Sequence, residues 1–387
     1  MTSNKSFLPF ALPDVGEEEI NAVVNCMRSG WLTTGINAKK FESDFSEFLG
    51  DSTLHSVSVN SASMGILLAC EALGLKAGDE VIVPVYTFSA TAMMPYHLGI
   101  IPVFVDIDSK TLNIDSKKIE EKITKNTKAI MPVHFAGLAC DMGAINAVAK
   151  KHNLLIIEDA AHALPCTYKG RMIGNKSSAA TIFSFYATKT ITTGEGGMVV
   201  TDNDKVAQRC KNMRLHGISR DVFDRYTAKG SKWYYEITAQ GHKCNLTDVA
   251  ASIGIEQLKK VNKFAARRKE IALKYLEAFK DLPITLPANS IGDDIHSWHL
   301  FVIRINKNAK MDRDAFIAAM DEYGIGCSVH FIPLHLHPFW SETLKVKKGD
   351  FPVAEAVFES AVSLPIYTKM TDMDVENVIK AVREILC

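Results

Sequence analysis

Short apolar runs alternate with amphipathic stretches along much of the chain, from about residue 56 to residue 201. Apolar runs rich in β-branched residues are typical of buried strands, and apolar positions spaced three or four apart indicate helices. The predicted strands are 56–60, 80–84, 102–106, 129–134, 154–159, 180–185 and 197–201, and the predicted helices are 63–73, 87–98, 114–123 and 142–152. This alternation predicts an α/β fold with a mostly parallel sheet of seven strands.

The character of the sequence changes after residue 201. A helix predicted at 203–213 leads into a polar and aromatic stretch, 214–241, that we interpret as an excursion over the surface. Residues 246–279 then carry apolar side chains at helical spacing. The rest of the chain is predicted to be α+β, with strands at 298–305 and 327–331 and helices at 313–323 and 373–386.

The length of the chain indicates two domains, because 387 residues exceed the usual size of a single hydrophobic core. We predict a large domain of residues 1–245 and a smaller C-terminal α+β domain of residues 246–387. The helix predicted at 246–279 would link them.

Composition narrows the class of protein. Hydrophobic residues make up 47% of the chain and charged residues 23%, as in ordinary globular proteins. Because 44 basic residues balance 44 acidic ones, no net charge would attract nucleic acid or an anionic membrane. Residues 1–7 lack the apolar core of a signal peptide and no apolar stretch is long enough to span a bilayer, so we expect a cytoplasmic protein. The eight cysteines show no paired spacing, and we expect them to be reduced and mostly buried.

Lys189 and Asp159 are the candidates for chemistry. Lys189 follows a predicted strand and precedes a glycine-rich segment, and Asp159 ends the apolar strand 154–159. Pyridoxal phosphate requires a lysine that reacts with its aldehyde and an acid that keeps its pyridinium nitrogen protonated. The pair therefore predicts a pyridoxal phosphate enzyme. Ordinary alternatives exist, because most lysines in loops are solvated and an Asp after a strand is often a helix N-cap.

Small residues at the start of the helix predicted at 63–73 could hold the cofactor's phosphate. Free N–H groups and the helix dipole favour an anion there, close to Ser63 and the backbone of Met64. Simple N-capping by Ser61 or Ser63 is the alternative. Ser184, five residues before Lys189, could supply another hydroxyl to the phosphate.

Two rings could contact the cofactor itself. Phe88 follows a strand and could stack on a flat heteroaromatic ring, although such a residue is more often part of the core. His162 lies three residues after Asp159 and could hydrogen-bond the phenolic oxygen of the cofactor, with a purely structural role as the alternative.

The histidines at 330, 335 and 337 invite a metal interpretation, which we reject. Their spacing fits no standard zinc pattern, and no carboxylate or thiol accompanies them in the segment. We expect no metal site, and we interpret His330 as a substrate contact.

Taken together, these segments resemble the DegT-type nucleotide-sugar aminotransferases, a fold-type I family dependent on pyridoxal phosphate. The resemblance runs over nearly the full chain and includes GWLTTG at 30–35, PVHFAG at 132–137, EDAAHA at 158–163 and CNLTD at 244–248. Within the family, the chain looks most similar to the UDP-4-amino-4-deoxy-L-arabinose aminotransferases.

The resemblance implies a role for each matching residue. Lys189 and Asp159 would be catalytic, and Thr33 and His330 would contact the substrate. The cofactor-binding residues implied are Ser63, Met64, Phe88, Asp159, His162, Ser184, Lys189 and Asn245. Asn245 would reach the phosphate from the neighbouring subunit of a homodimer whose active site is shared.

The reaction implied by the resemblance is transfer of an amino group from L-glutamate to a nucleotide-linked 4-keto sugar. A 3-keto sugar or a cyclitol ketone stays open as the acceptor. A non-catalytic regulatory protein that keeps the fold is the alternative of another class.

Overall fold

A seven-stranded sheet lies at the centre of the computed structural model, which describes residues 7–176, 178–219 and 234–387. Its strands are β1 (His55–Val59), β2 (Glu80–Pro84), β3 (Ile101–Val105), β4 (Thr127–Ile130), β5 (Leu155–Asp159), β8 (Ala180–Ser184) and β9 (Gly197–Thr201). They lie in the order β1, β9, β8, β5, β4, β2, β3. Neighbours are parallel from β8 to β3, whereas β9 is antiparallel to β1 and β8. The seven strands and the mostly parallel sheet predicted from the sequence are confirmed.

The first helix, α1 (Glu17–Ser29), packs against the long helix Asp248–Ala278. The helices that pack against the sheet are α2 (Ile36–Phe48), α3 (Ala62–Ala72), α4 (Ala90–His97), α5 (Met142–His152) and α6 (Asp204–Met213), and a short hairpin of β6 (Thr167–Tyr168) and β7 (Arg171–Met172) follows β5. Phe45 of α2 is fully buried, and its ring lies 5.1 Å from that of Phe183 and 5.6 Å from that of Phe185. Such aromatic contacts fix α2 on the sheet.

A long helix, α7 (Asp248–Ala278), belongs to two hydrophobic cores. Its first half buries Leu258 and Phe264 in a core shared with α2. Its last turns bury Ile271 and Tyr275 in the core of the C-terminal part. The helix predicted at 246–279 is confirmed. The division into domains at residues 245 and 246 stays a prediction, because one continuous helix contributes to both cores.

The C-terminal part is α+β, as predicted. Its antiparallel sheet contains β10 (Ile284–Thr285), β11 (Phe301–Ile305) and β12 (Ala361–Leu364), and its helices are α8 (Arg313–Glu322), α9 (Pro338–Leu344), α10 (Pro352–Ser360) and α11 (Asp372–Leu386).

The strand predicted at 327–331 is wrong. Only Ser328 pairs with the sheet, through an isolated bridge to Ser363. Beyond it the chain is held by side chains, because the Tyr86 hydroxyl donates to the His330 carbonyl at 2.6 Å. The His330 ring lies 2.8 Å from the Ser363 hydroxyl of β12, so the segment is bonded to both sheets.

Two further predictions need correction. The helix predicted at 114–123 is replaced by 3₁₀ turns at Ser116–Lys118 and Glu120–Lys122, the first of them capped by the Asp115 carboxylate, which accepts from the Lys117 N–H. Arg214, the first residue of the surface excursion predicted at 214–241, is buried, and its guanidinium donates to the Glu42 carboxylate at 2.5 Å. Residues 220–233 of that stretch lie outside the described residues.

The cysteine prediction is confirmed, since all eight are free and six are buried. Among the described helices, none is long and apolar enough to cross a membrane. The described residues also contain no cluster of three or more His, Cys, Asp or Glu side chains arranged to bind a metal ion. His335 instead lies 2.8 Å from Glu355, and His330 lies 2.8 Å from the Ser363 hydroxyl.

Candidate active site

The carboxyl edge of the large sheet brings Asp159 and Lys189 together. Asp159 is the last residue of β5, which is parallel to β8, and Lys189 follows β8 by five residues. Open α/β sheets bind ligands at this edge. The charge of Lys189 lowers the pKa of Asp159, and the charge of Asp159 raises the pKa of Lys189.

Asp159 is a buried carboxylate held by neutral donors. Its Oδ2 accepts from the Thr91 hydroxyl at 2.8 Å, and its Oδ1 accepts from the Ala161 N–H at 3.1 Å. Burial raises the pKa of the carboxyl, although these two bonds and the charge of Lys189 oppose the shift. A second cation beside the carboxylate would offset much of the free-energy cost of burying its negative charge.

Lys189 lies in a turn, where its N–H donates to the Tyr186 carbonyl at 2.9 Å. Burial lowers the pKa of its ammonium to about 8, Asp159 opposes that shift and Arg268 adds to it. About a tenth of the Lys189 side chains therefore carry a neutral amine at pH 7, far more than for a lysine with the ordinary pKa. This is the form that attacks a carbonyl carbon or accepts a proton.

Three imidazoles surround these two groups. The ring of His162 lies 4.3 Å from the ring of His299, and its Nδ1 accepts from the Ala136 N–H at 3.3 Å. His162 Nε2 is therefore the protonated nitrogen, free to donate to an oxygen. Burial lowers the pKa of His162 and His299 well below the usual value and that of His330 to about 4. All three rings are neutral at neutral pH.

The start of α3 approaches the same edge of the sheet. Ser61 is the N-cap, and its hydroxyl accepts from the Met64 N–H at 3.3 Å, so the capping alternative applies to Ser61. A Cβ atom at Gly197 would lie 2.6 Å from the Ala62 nitrogen. Only glycine allows β9 to run this close to the first turn of α3. Ser63 and Met64 lie in that turn, at the positive end of the helix dipole.

Phe88 presents a flat ring at the site. Its side chain is 62% exposed, and the ring contacts Phe331 with centroids 6.1 Å apart. The core alternative considered for Phe88 is therefore wrong. Ser184 is partly buried at the end of β8, and its hydroxyl accepts from the Tyr186 N–H at 3.4 Å.

Thr33 and Asn245 belong to a separate loop cluster. The Asn245 amide donates to the Thr34 hydroxyl at 2.6 Å, and that hydroxyl donates to the Leu246 carbonyl at 2.5 Å. Thr33 is exposed, and its carbonyl accepts from the Asp248 N–H at 3.3 Å. These bonds tie the two residues to the start of α7, and the backbone of Asn245 also pairs with Val59 at the end of β1.

Sequence reasoning gave no role to Thr91, His299 or Arg268. Thr91 lies one helical turn after Phe88, so its position on the same face of the helix predicted at 87–98 could have pointed to it. His299 precedes β11, and Arg268 lies in α7. Both reach the site only through packing of the C-terminal part, for which the sequence carries no local signal.

We expect Thr91→Val to lower kcat by roughly tenfold, because Asp159 loses its buried hydroxyl donor, a bond worth about 1.5 kcal/mol when the acceptor is charged. Steady-state kinetics at saturating substrates measure the loss. Thr91→Ser keeps the hydroxyl and should retain most of the activity. Equal losses in both variants would contradict the assignment.

The residues at this edge fit pyridoxal phosphate. The pyridinium nitrogen of the cofactor would supply the second cation beside Asp159, and His162 Nε2 could donate to the ring's phenolic oxygen. The neutral amine of Lys189 could react with the aldehyde, and the exposed ring of Phe88 could stack on the cofactor. The positively polarised start of α3 could bind the phosphate. The fit rests on four different elements of the fold.

Comparison with known proteins identifies the aminotransferase family that the sequence motifs resemble. Residues 13–383 match the model of the DegT/DnrJ/EryC1/StrS aminotransferase family. The chain is 50% identical over 383 residues to Uncharacterized protein MJ1066 of Methanocaldococcus jannaschii, covering 99% of this chain and 98% of that protein. It is 47% identical over 382 residues to the spore coat polysaccharide biosynthesis protein SpsC of Bacillus subtilis, and the match covers 98% of this chain and 97% of that protein.

A solved structure is similar over the whole chain. The putative sugar aminotransferase Spr1654 of Streptococcus pneumoniae in its PMP-form superposes with a TM-score of 0.91 at 33% identity, covering 98% of each chain. The family, fold and cofactor expected from the sequence are confirmed. This chain belongs to the DegT/DnrJ/EryC1/StrS aminotransferase family and is a pyridoxal phosphate-dependent aminotransferase.

Proposed function

We propose that the protein transfers the amino group of L-glutamate to a nucleotide-linked 4-keto sugar for polysaccharide biosynthesis, with Lys189 and Asp159 as its catalytic residues. The observation that carries the proposal is the buried Lys189–Asp159 pair at the carboxyl edge of the sheet. The relatives named above support the substrate class, since one is a polysaccharide biosynthesis protein and another a putative sugar aminotransferase. The expected cytoplasmic location is part of the proposal.

When bound, pyridoxal phosphate supplies an electron sink that stabilises the carbanion left on a substrate carbon after its proton is removed. Lys189 would hold the resting cofactor covalently, and Asp159 would keep a positive charge at its nitrogen. Once an amino donor displaces it, Lys189 Nζ takes the proton from the donor's α-carbon. A pKa of about 8 suits this role, because the amine can both accept and return a proton near neutral pH.

The other candidate residues would fix the cofactor and the substrates in this proposal. His162 Nε2 would donate to the cofactor's phenolic oxygen, and Phe88 would stack on its ring. Ser63, the Met64 backbone and Ser184 would hold the phosphate. Burial lowers the pKa of His330 to about 4, and the charge of Lys189 adds to the shift. His330 would therefore contact the substrate as a neutral ring.

A homodimer with a shared site is also part of the proposal. Asn245 and Thr33 bond to Thr34 and Asp248 of their own chain, and within the described residues neither bonds to its Lys189. They would serve the site of the partner subunit, Asn245 at the phosphate and Thr33 at the sugar substrate. Rigid attachment to α7 suits a residue that must project into another subunit.

A panel of acceptors tests the substrate assignment. Purified protein with pyridoxal phosphate and L-glutamate is given nucleotide-linked 4-keto sugars, including UDP-4-keto-arabinose, matched 3-keto sugars and a cyclitol ketone. We expect a product mass consistent with replacement of the carbonyl oxygen by an amino group for a 4-keto sugar, with 2-oxoglutarate formed in equal amount. Amination of a 3-keto sugar or cyclitol ketone alone would replace the 4-keto assignment. Product from D-glutamate at the same rate would contradict the donor assignment.

A further inference from the structure

The turn of residues 134–140, between β4 and α5, carries the hydrogen bond that orients His162. The Ala136 N–H donates to His162 Nδ1 at 3.3 Å. A neutral imidazole carries one ring proton, so a donor at Nδ1 requires that proton to be on Nε2. The ability of His162 to donate to an oxygen therefore depends on the position of one backbone N–H group.

Ala136 adopts a backbone conformation that alanine disfavours. Its φ is 57° and its ψ is 1°, in the left-handed region, and the residue is buried. The Cβ atom makes this region unfavourable for most residues other than glycine. Such a conformation persists only where the surrounding structure holds the backbone in place. The direction of the Ala136 N–H must therefore be maintained by other groups.

Asn113 bonds to the turn on both sides of Ala136. Its Oδ1 accepts from the Phe135 N–H at 2.8 Å. Its Nδ2 donates to the carbonyls of Leu138 at 3.1 Å and Ala139 at 3.2 Å. Only 3% of the residue is exposed, so water does not compete for these bonds. One side chain thus fixes the backbone before and after the left-handed residue.

His134 closes the same turn and ties it to β5. Its Nδ1 accepts from the Cys140 N–H at 3.1 Å, so its proton is on Nε2, which donates to the Glu158 carboxylate at 2.8 Å. The His134 N–H also donates to the carbonyl of Asp159 at 3.1 Å. The side chains of His134 and Glu158 are fully buried. The turn is therefore fixed relative to the strand that ends in the catalytic carboxylate.

Ser297 fixes the backbone of His162 relative to the turn. Its hydroxyl donates to the His162 carbonyl at 2.6 Å, and its N–H donates to the Gly137 carbonyl at 3.1 Å. A Cβ atom at Gly137 would lie 1.8 Å from Ser297 Oγ, so glycine is required for this approach. With the backbone of His162 held in this way, the bond from Ala136 determines the state of its ring.

We propose that Asn113 is a positioning residue, which holds the 134–140 turn so that the Ala136 N–H occupies His162 Nδ1 and the ring proton stays on Nε2. The inference rests on the role of His162 in the proposed function. Without Asn113, the turn can relax and withdraw the Ala136 N–H from the ring. The proton can then move to Nδ1, and the Nε2 atom that should donate to the cofactor's phenolic oxygen becomes an acceptor.

The first test locates the ring proton of His162 directly. Full-length protein freed of cofactor is prepared with isotope-labelled histidine, and solid-state NMR distinguishes protonated from unprotonated ring nitrogens. The signal lost in His162→Phe assigns the residue. We expect the ratio of the Nδ1–H form to the Nε2–H form to rise roughly fivefold in Asn113→Leu, as for the loss of one neutral hydrogen bond. Asn113→Ala is the second variant if Asn113→Leu does not fold.

A double-mutant cycle separates positioning from a purely structural role. Asn113→Leu should lower kcat of the otherwise unchanged holoenzyme by roughly fivefold, but it should have little effect in the His162→Phe background, where no imidazole remains to be oriented. Asn175→Leu is the matched control. It removes an amide whose Nδ2 donates to the Leu49 carbonyl at 2.9 Å, and it should leave both kcat and the His162 proton unchanged.

The outcomes distinguish the inference from the proposed function. The same proton position in the parent and in the folded Asn113 variants, or an equal fall in kcat in both backgrounds, would overturn the inference. A His162→Phe enzyme with the kcat of the parent would instead refute the role of His162 at the cofactor, independently of the NMR result.

Discussion

Replacement of Lys189 by alanine is expected to lower kcat by at least about 10⁴-fold, because one side chain supplies both the covalent attachment of the cofactor and the proton transfers. The yellow absorbance of the lysine-bound cofactor should disappear as well. Borohydride reduction of the parent, followed by peptide mapping, should place the cofactor mass on the peptide that contains Lys189.

The matched variants separate chemistry from charge. Lys189→Arg keeps a positive charge beside Asp159 but cannot attack an aldehyde, so it should be as inactive as Lys189→Ala. Lys205→Ala removes an exposed lysine near the start of α6 and should have the parent's activity. A Lys189→Ala protein that still transaminates at the parent's rate would refute the role of the lysine.

Most of the large sheet could be predicted from the sequence because its strands are buried on both faces. Strands of this kind are continuous apolar runs that local pattern analysis recognises. The order of the strands is not a local property, however. Asp159 and Lys189 lie at the same edge because β5 and β8 are neighbours, although the β6–β7 hairpin separates the two strands along the chain. The chemistry of the cofactor suggested the pair, and periodicity did not.

The segments that were wrongly predicted share a physical cause. Residues 327–331 have the composition of a strand, but hydrogen bonds to Tyr86 and Ser363 outside any ladder determine their path. Residues 114–123 have helical spacing, but the Asp115 cap closes a 3₁₀ turn. In both cases side chains compete with the regular backbone pattern, which sequence periodicity does not record.

The residues that sequence reasoning missed at the site come from elements distant in the chain. The His299 ring lies 4.3 Å from that of His162, and Arg268 of α7 donates to the His299 carbonyl. Neither has a sequence signal, since a buried arginine and a buried histidine are each common structural residues. Their positions depend on how the C-terminal part packs against the large sheet, which is not a local property of the sequence.

Replacement of Asp159 by asparagine is expected to lower kcat by roughly 10³-fold, equivalent to about 4 kcal/mol of transition-state stabilisation. Asparagine keeps one oxygen that can accept from the Ala161 N–H, and its amide can donate to the Thr91 hydroxyl, but it cannot hold a positive charge on the cofactor's nitrogen. Electron withdrawal from the reacting carbon then weakens. Cofactor affinity should fall by less than about tenfold, because the phosphate and covalent contacts remain. Single-turnover kinetics with L-glutamate and a cofactor titration measure the two effects separately.

Asp106 provides a control of equal burial. Like Asp159 it is 5% exposed at the carboxyl end of a parallel strand, but its carboxylate accepts from the N–H groups of Val353 and Ala354 at the start of α10. Asp106→Asn should therefore lower the thermal stability, as loss of a charged helix cap does, and leave kcat of the folded enzyme unchanged. Because the two aspartates share burial and strand position, a large fall in kcat confined to Asp159→Asn would follow from the charge it places beside the cofactor. Equal kcat values in Asp159→Asn and the parent would show that this charge does not contribute to catalysis.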